Sequence, residues 1–150
     1  MELILWRHAE AEDTHPDMDR ALTAKGHKQA ERMAAWLNQR LPENTVVLVS
    51  PAKRTLLTAI ALDRKFTTLD ELAPGASAQT LLKTAGWPNA EGAVLVVGHQ
   101  PTLGQTAALA MTGKADYWSV KKGAIYWIGS RVRGEDEQSV LRAALSPDLL

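Results

Sequence analysis

Two arginines and two histidines stand at points where short apolar runs give way to polar chain. Arg7 and His8 follow residues 3–6, and Ser50, Pro51 and Arg54 follow residues 46–49. Gly98 and His99, then Pro101, follow residues 94–97. A guanidinium presents a rigid fork of donors that matches phosphate oxygens two at a time. An imidazole can bond those oxygens or attack the phosphorus itself. If the three run ends neighbour one another, two imidazoles and two guanidiniums face one spot beside helix amino termini, whose free N–H groups also favour an anion. The chemistry such a spot would serve is phosphoryl transfer. No dinucleotide glycine fingerprint, Walker loop or His-Glu-x-x-His motif occurs in the chain, so phosphoryl chemistry without a metal or other cofactor is the expectation.

The elements that must position these residues are legible as patterns. The three apolar runs, β-branched in the last two, have the character of strands buried on both faces. In the first intervening segment Ala30, Met33, Ala34, Leu37 and Leu41 fall at helical spacing with Trp36 beside them, and Pro42 closes it. Residues 52–65 form a second helical stretch, with Leu56, Ala59, Ile60 and Leu62 on its apolar side, and Arg54 falls on its first turn. Ser50 is expected to cap this helix. Residues 77–85 give a third helix, and 101–111 a fourth with Pro101 in its first turn. Residues 123–133 and 139–145, separated by Gly134-Glu135-Asp136-Glu137, have the pattern of an antiparallel hairpin. The expected fold is an α/β domain over residues 1–150 with a mainly parallel sheet, flanking helices and a C-terminal hairpin. Open sheets of this kind bind ligands beyond the carboxyl ends of their strands, where the four polar residues stand.

Composition narrows the function further. The 150 residues are 45% apolar and 23% charged, an ordinary balance for one domain with a core. Lys+Arg and Asp+Glu both number 17, which removes the basic footprint that nucleic-acid binding needs. There is no cysteine, hence no disulfide framework and no thiolate nucleophile. The amino terminus lacks a basic region followed by a long apolar stretch, and no run approaches the ~20 residues of a membrane span. A cytoplasmic, monomeric protein is expected.

Arg7-His8 after the first strand, Ser50-Pro51-x-x-Arg54-x-x-x-Thr58-Ala59, and Gly98-His99-x-Pro101 together resemble the histidine phosphatase superfamily. Leu22-Thr23-x-x-Gly26, the Trp36-Leu37 helix and the final Leu145-Ser146-Pro147 extend the resemblance to the small bacterial phosphohistidine phosphatases of the SixA type. The resemblance implies that His8 is the nucleophile and forms a phosphohistidine intermediate. It implies that Arg7, Arg54 and His99 hold the phosphoryl oxygens and offset the charge of the transition state. Arg20 resembles an arginine that precedes the Leu-Thr pair and reaches the same pocket. The implied substrate is a phosphorylated protein of the histidine-containing phosphotransfer class.

Two departures from the family pattern bear on the subgroup and on the substrate. Ala9 stands where most members have glycine, as in the small subgroup. Glu71 is the best positional match for the general acid of the larger enzymes, without the glycine and tryptophan that normally follow it. An alkoxide leaving group needs a proton, whereas imidazole leaves a phosphoramidate with far less help, so a weak acid suits phosphohistidine. The stretch between Arg54 and His99 leaves no room for a cap domain. The alternatives are a phosphatase of the same superfamily acting on small phosphomonoesters with Glu71 as acid, and a phosphate-recognition module without turnover.

Other polar residues have plainer readings. Asp13, His15, Asp17 and Asp19 lie in one polar loop that reads as solvated, and no metal is assigned to it. His27 falls on the polar side of the first helix. Trp36 and Trp127 sit in core-like patterns. Lys121-Lys122 reads as a turn before the hairpin, with contact to an acidic partner as the other possibility.

Overall fold

The computed structural model describes all 150 residues. Its elements run β1 (Glu2–Arg7), α1 (Ala24–Asn38), β2 (Val46–Val49), α2 (Lys53–Ile60), β3 (Thr67–Thr68), α3 (Ala78–Ala85), β4 (Ala93–Gly98), α4 (Thr102–Thr112), β5 (Ile125–Arg133) and β6 (Asp136–Leu145). The strands form one sheet in the order β3-β2-β4-β1-β5-β6. The first four in that order pair parallel, and β5 and β6 are antiparallel to their neighbours.

The apolar runs become central strands because both faces of the sheet are covered. Side chains alternate along a strand, so Ile4 and Trp6 of β1 join Met33, Leu37, Val47, Val49 and Leu95 in one core layer. Leu3 and Leu5 join Val94, Val96, Leu81, Leu103 and Ile128 in the layer on the other face. Each such Leu or Ile, fully buried, is worth about 1.5–3 kcal/mol relative to exposure. Trp127 is buried, and the half-buried Trp36 meets it edge-on at 6.2 Å between ring centroids.

The structure corrects several sequence expectations in detail. α2 ends at Ile60 rather than at Lys65, because Leu62 turns back into the core. The freed Leu62 carbonyl accepts from Asn38 Nδ2 at 3.0 Å, and Asp63 takes a positive φ of 53°. Ser50 does not cap α2: Ala52 is the N-cap residue, with no side-chain bond, and the Ser50 hydroxyl is engaged elsewhere. Pro101 stands just before α4, at its N-cap position. The hairpin is tighter than its turn residues implied. Arg133 pairs with Asp136, leaving Gly134 and Glu135 as a two-residue turn, with Gly134 at φ 64° as a glycine adopts freely there. The short edge strand β3 has no apolar run to announce it, since both its residues are exposed threonines.

Candidate active site

Strand register brings the two histidines together. β1 and β4 pair with Arg7 opposite Gly98, so His8 and His99 leave the sheet side by side. Their ring centroids lie 5.4 Å apart at an interplanar angle of 53°. Backbone bonds carry the pairing past the strand ends: the His8 N–H donates to the Gly98 carbonyl and the Ser50 N–H to the Val97 carbonyl, each at 3.1 Å. The order β2-β4-β1 thus makes the three polar run ends neighbours.

The loop after β1 fixes the state of His8. Its Nδ1 lies 2.7 Å from the Ala9 carbonyl, which can only accept, so Nδ1 carries the proton and Nε2 the lone pair. Burial pushes the imidazole pKa down to about 4; the bond to Ala9 opposes this, while Arg54, Arg7 and Arg20 add to it. His8 is therefore neutral near pH 7, with a free Nε2 able to act as nucleophile. The supporting backbone is held at several points. Thr58 Oγ1 accepts from Ala9 N–H at 3.0 Å and donates to the Arg54 carbonyl one turn back on α2 at 2.8 Å. The Glu10 N–H donates to Gln29 Oε1, and the Glu10 carbonyl accepts from Thr23 N–H. Thr23 caps α1 by accepting from Gly26 N–H. A Cβ at position 26 would lie 2.0 Å from the Glu10 carbonyl oxygen, so only glycine admits this loop so close to α1. The Leu22-Thr23-x-x-Gly26 motif acts in this way as the support of the loop that orients His8.

Arg54 is 4% exposed, a buried charge rather than a helix-surface one. Its Nη1 donates to the Asp17 carbonyl at 2.8 Å and its Nη2 to Asp17 Oδ2 at 3.2 Å. Asp17 opens a 3-10 turn, Asp17–Asp19, in the loop that read as solvated. Its residues are exposed, as that reading has it, and the loop also folds back over Arg54. Arg20 lies outside this pair, donating to the Glu12 carbonyl through Nε and to Asp17 Oδ1 through Nη1. Desolvation raises the Asp17 carboxyl, and the hydrogen bonds and charges of Arg54 and Arg20 together outweigh it, holding the group below the usual carboxylate range. Arg7 donates through Nη1 to the Val120 carbonyl at 2.9 Å.

His99 is 4% exposed, and its Nε2 lies 2.7 Å from Ser50 Oγ. Burial, reinforced by Arg54, His8 and Arg7 against the opposing charge of Asp17, pushes its pKa down to about 3. The buried side-chain polar atoms without a hydrogen-bond partner are Arg7 Nε, Arg54 Nε and His99 Nδ1. All belong to this cluster. Buried polar groups are nearly always satisfied, so unmet guanidinium donors gathered beside two imidazoles mark a place for an oxyanion.

The structure brings together His8, His99, Arg7 and Arg54, with Arg20 reaching the cluster through Asp17. It does not bring in Glu71, which is exposed on the 3-10 turn Asp70–Leu72 after β3 and makes no hydrogen bond or ion pair with the cluster. His15 and His27 are exposed, as are Lys121 and Lys122. The two lysines line a hollow of about 480 Å³ that Arg7 shares with Lys25 and Glu10. A hollow of about 590 Å³ at the opposite end of the sheet, lined by Met1, Trp87 and Arg131 among others, contains none of the cluster. Sequence reasoning missed Asp17 and the positioning by Thr58. An aspartate three residues before Arg20 in a polar loop carries no local signal of a long-range partner. Thr58 does, since it stands one helical turn after Arg54.

Comparison with known proteins identifies the family and the fold. Residues 3–74 match the family model of the histidine phosphatase superfamily, branch 1. An uncharacterised protein of Picosynechococcus sp. is 34% identical over 141 residues, spanning 87% of this chain and 86% of its own length. The solved structure of SixA from Nakamurella multipartitia is 28% identical with a TM-score of 0.77, covering 97% of this chain and 95% of its own. A protein histidine phosphatase SixA solved with tungstate is 25% identical with a TM-score of 0.78, covering 99% of each chain. The chain belongs to the histidine phosphatase superfamily and is of the SixA type.

Proposed function

We propose that this member of the histidine phosphatase superfamily is a phosphohistidine phosphatase, acting on a phosphorylated histidine of a cytoplasmic protein of the phosphotransfer class. Phosphatase activity follows from the family. His8 Nε2 attacks the phosphorus, the P–N bond to the substrate imidazole breaks, and that imidazole takes up a proton from solvent. Water then attacks the phosphorus of phospho-His8. The P–Nε2 bond breaks, phosphate leaves, and His8 returns neutral. Arg7, Arg54 and His99 bond the phosphoryl oxygens as charge redistributes in each transition state.

The observation that carries the choice of substrate is the absence of a proton donor among the carboxyl groups that reach the cluster. Asp17 reaches it through Arg54 but is held ionised there by two arginines. Glu71 makes no hydrogen bond or ion pair with the cluster, and Glu10, in the hollow beside Arg7, accepts from Thr23 Oγ1 and pairs with Lys25. An ester would release an alkoxide that needs a proton in the transition state, whereas a phosphoramidate releases an imidazole, a much better leaving group. A SixA relative was solved in complex with tungstate, a tetrahedral oxyanion like phosphate, and this supports an oxyanion as the ligand of such a fold. Residues 61–92 are occupied by β3, a 3-10 turn, α3 and short connections, so no inserted cap encloses a small molecule.

The test measures phosphate release from a phosphohistidine peptide and from an aryl phosphate ester, with the parent protein, His8→Ala and Glu71→Gln. Faster release from the peptide, its loss in His8→Ala and no change in Glu71→Gln are expected. A preference for the ester together with a large loss in Glu71→Gln overturns the proposal in favour of a phosphomonoesterase. Tight phosphate binding without turnover of either substrate reduces the protein to a recognition module.

A further inference from the structure

We infer that Ser50 is a positioning residue that locks His99 in one tautomer, with the proton on Nδ1, so that the imidazole presents a neutral N–H to a phosphoryl oxygen. The inference rests on reading the cluster as a phosphoryl site and adds to it a residue outside the Arg-His set. A serine hydroxyl has one proton and two lone pairs. One lone pair of Ser50 Oγ accepts from Ala52 N–H at 3.3 Å. The other partner of the hydroxyl is His99 Nε2 at 2.7 Å, and no carbonyl or carboxylate oxygen accepts the hydroxyl proton. Ser50 is fully buried, so bulk water does not reach the hydroxyl.

Two arrangements are then possible. If His99 Nε2–H donated to Ser50, the serine proton would be buried without an acceptor and the Nδ1 lone pair would be buried unpaired. Leaving a buried polar group unmet costs about 1–3 kcal/mol each. If Ser50 O–H donates to Nε2, both serine functions are met and the single unmatched group is His99 Nδ1–H, a donor within the oxyanion cluster. The second arrangement is also the one that attracts phosphate, since a lone pair turned toward a phosphoryl oxygen repels it. The charged and titratable groups acting on His99 are Arg7 at the end of β1, His8 just after it, Arg54 from α2 and Asp17 from the loop above. The cations and burial outweigh Asp17, and the ring carries a single proton near neutrality.

The experiment is a long-range ¹H–¹⁵N correlation spectrum of the imidazoles in the full chain labelled with ¹⁵N-histidine at pH 7. The chain has four histidines, and His99→Gln identifies the signal. A protonated Nδ1 and a bare, hydrogen-bonded Nε2 are expected for His99. In Ser50→Ala the signal moves toward the other tautomer, and kcat falls by about 10- to 100-fold, less than the 10²–10³ of removing an oxyanion donor outright. Ser50→Thr, which keeps the hydroxyl, retains the parent spectrum. A protonated Nε2 in the parent overturns the inference, as does a Ser50→Ala protein with unchanged tautomer and rate. If Ser50→Ala does not fold, the parent spectrum alone decides. Failure of the parent to release phosphate would overturn the proposed function, while the tautomer would still be read from the spectrum.

Discussion

Arginines stand at two ends of this sheet, and the contrast between them shows what makes a site. Arg131 and Arg133 near the tip of the β5–β6 hairpin are exposed and make no ion pair. Arg54, at the carboxyl ends of the parallel strands, is buried and donates to Asp17, and it still has an unmet Nε. Arg7, half-buried, is likewise left with one unmet Nε. Water solvates the hairpin arginines at no structural cost. Burying Arg54 costs several kcal/mol, tolerated because the fold provides Asp17 and because the remaining donors face an anion. Residue type is common to both ends; desolvation and convergence belong to one.

The contrast is tested most severely by removing the charges. Arg54→Ala is expected to lower kcat/KM for phosphate release by about 10²–10³, the scale of losing an oxyanion-stabilising donor, while Arg133→Ala stays within error of the parent. Equal effects from both variants would show that the arginine cluster stabilises no transition state.

Acid sharpens the same comparison, because the buried end also holds two histidines with depressed pKa values. The rate is expected to hold from pH 7 to about 5 and to fall as His8 gains a proton near pH 4. Unfolded histidines bind protons near 6.5, whereas folded His8 and His99 do so only near 4 and 3. Between those values the unfolded chain holds more protons, so stability falls as pH is lowered from about 6.5. Chemical denaturation across that range should show a shallower decline in His99→Gln. An identical decline would mean that His99 is not buried neutral.

A smaller difference is expected from hydroxyl groups. Thr58→Val leaves the buried Ala9 N–H unsatisfied and should cost about 1–3 kcal/mol of unfolding free energy, together with a fall in kcat as the His8 loop loosens. Ser139→Ala on the hairpin removes a bond to the Ala110 carbonyl at a half-buried position that water can serve, and should cost at most about 1 kcal/mol. Urea denaturation of both variants compares them directly.

Much of this architecture is written locally. The runs at 3–6, 46–49 and 94–97 can bury two faces only as inner strands, and the period of Ala30, Met33, Ala34 and Leu37 allows only a helix with one apolar side. The polar residues that follow each strand come from the same reading, which is why the sequence already sets His8, His99, Arg7 and Arg54 at or just beyond strand ends. The end of α2 and the start of β6 were less legible. Leu62 fits a helical period equally well whether the helix continues or folds back into the core, and Asp136 to Gln138 form strand only because residues 131–133 pair with them.

What the sequence by itself determined is the set of elements and the chemical character of their ends, since periodicity and side-chain chemistry act over a few residues. Tertiary structure decided the rest. The strand order β2-β4-β1 and the Arg7–Gly98 register depend on pairings between segments tens of residues apart, and they alone set the two imidazoles side by side. The reach of Asp17 to Arg54, the bond between Ser50 and His99 and the depressed histidine pKa values exist only after desolvation. Each depends on which distant groups share the space from which water has been removed.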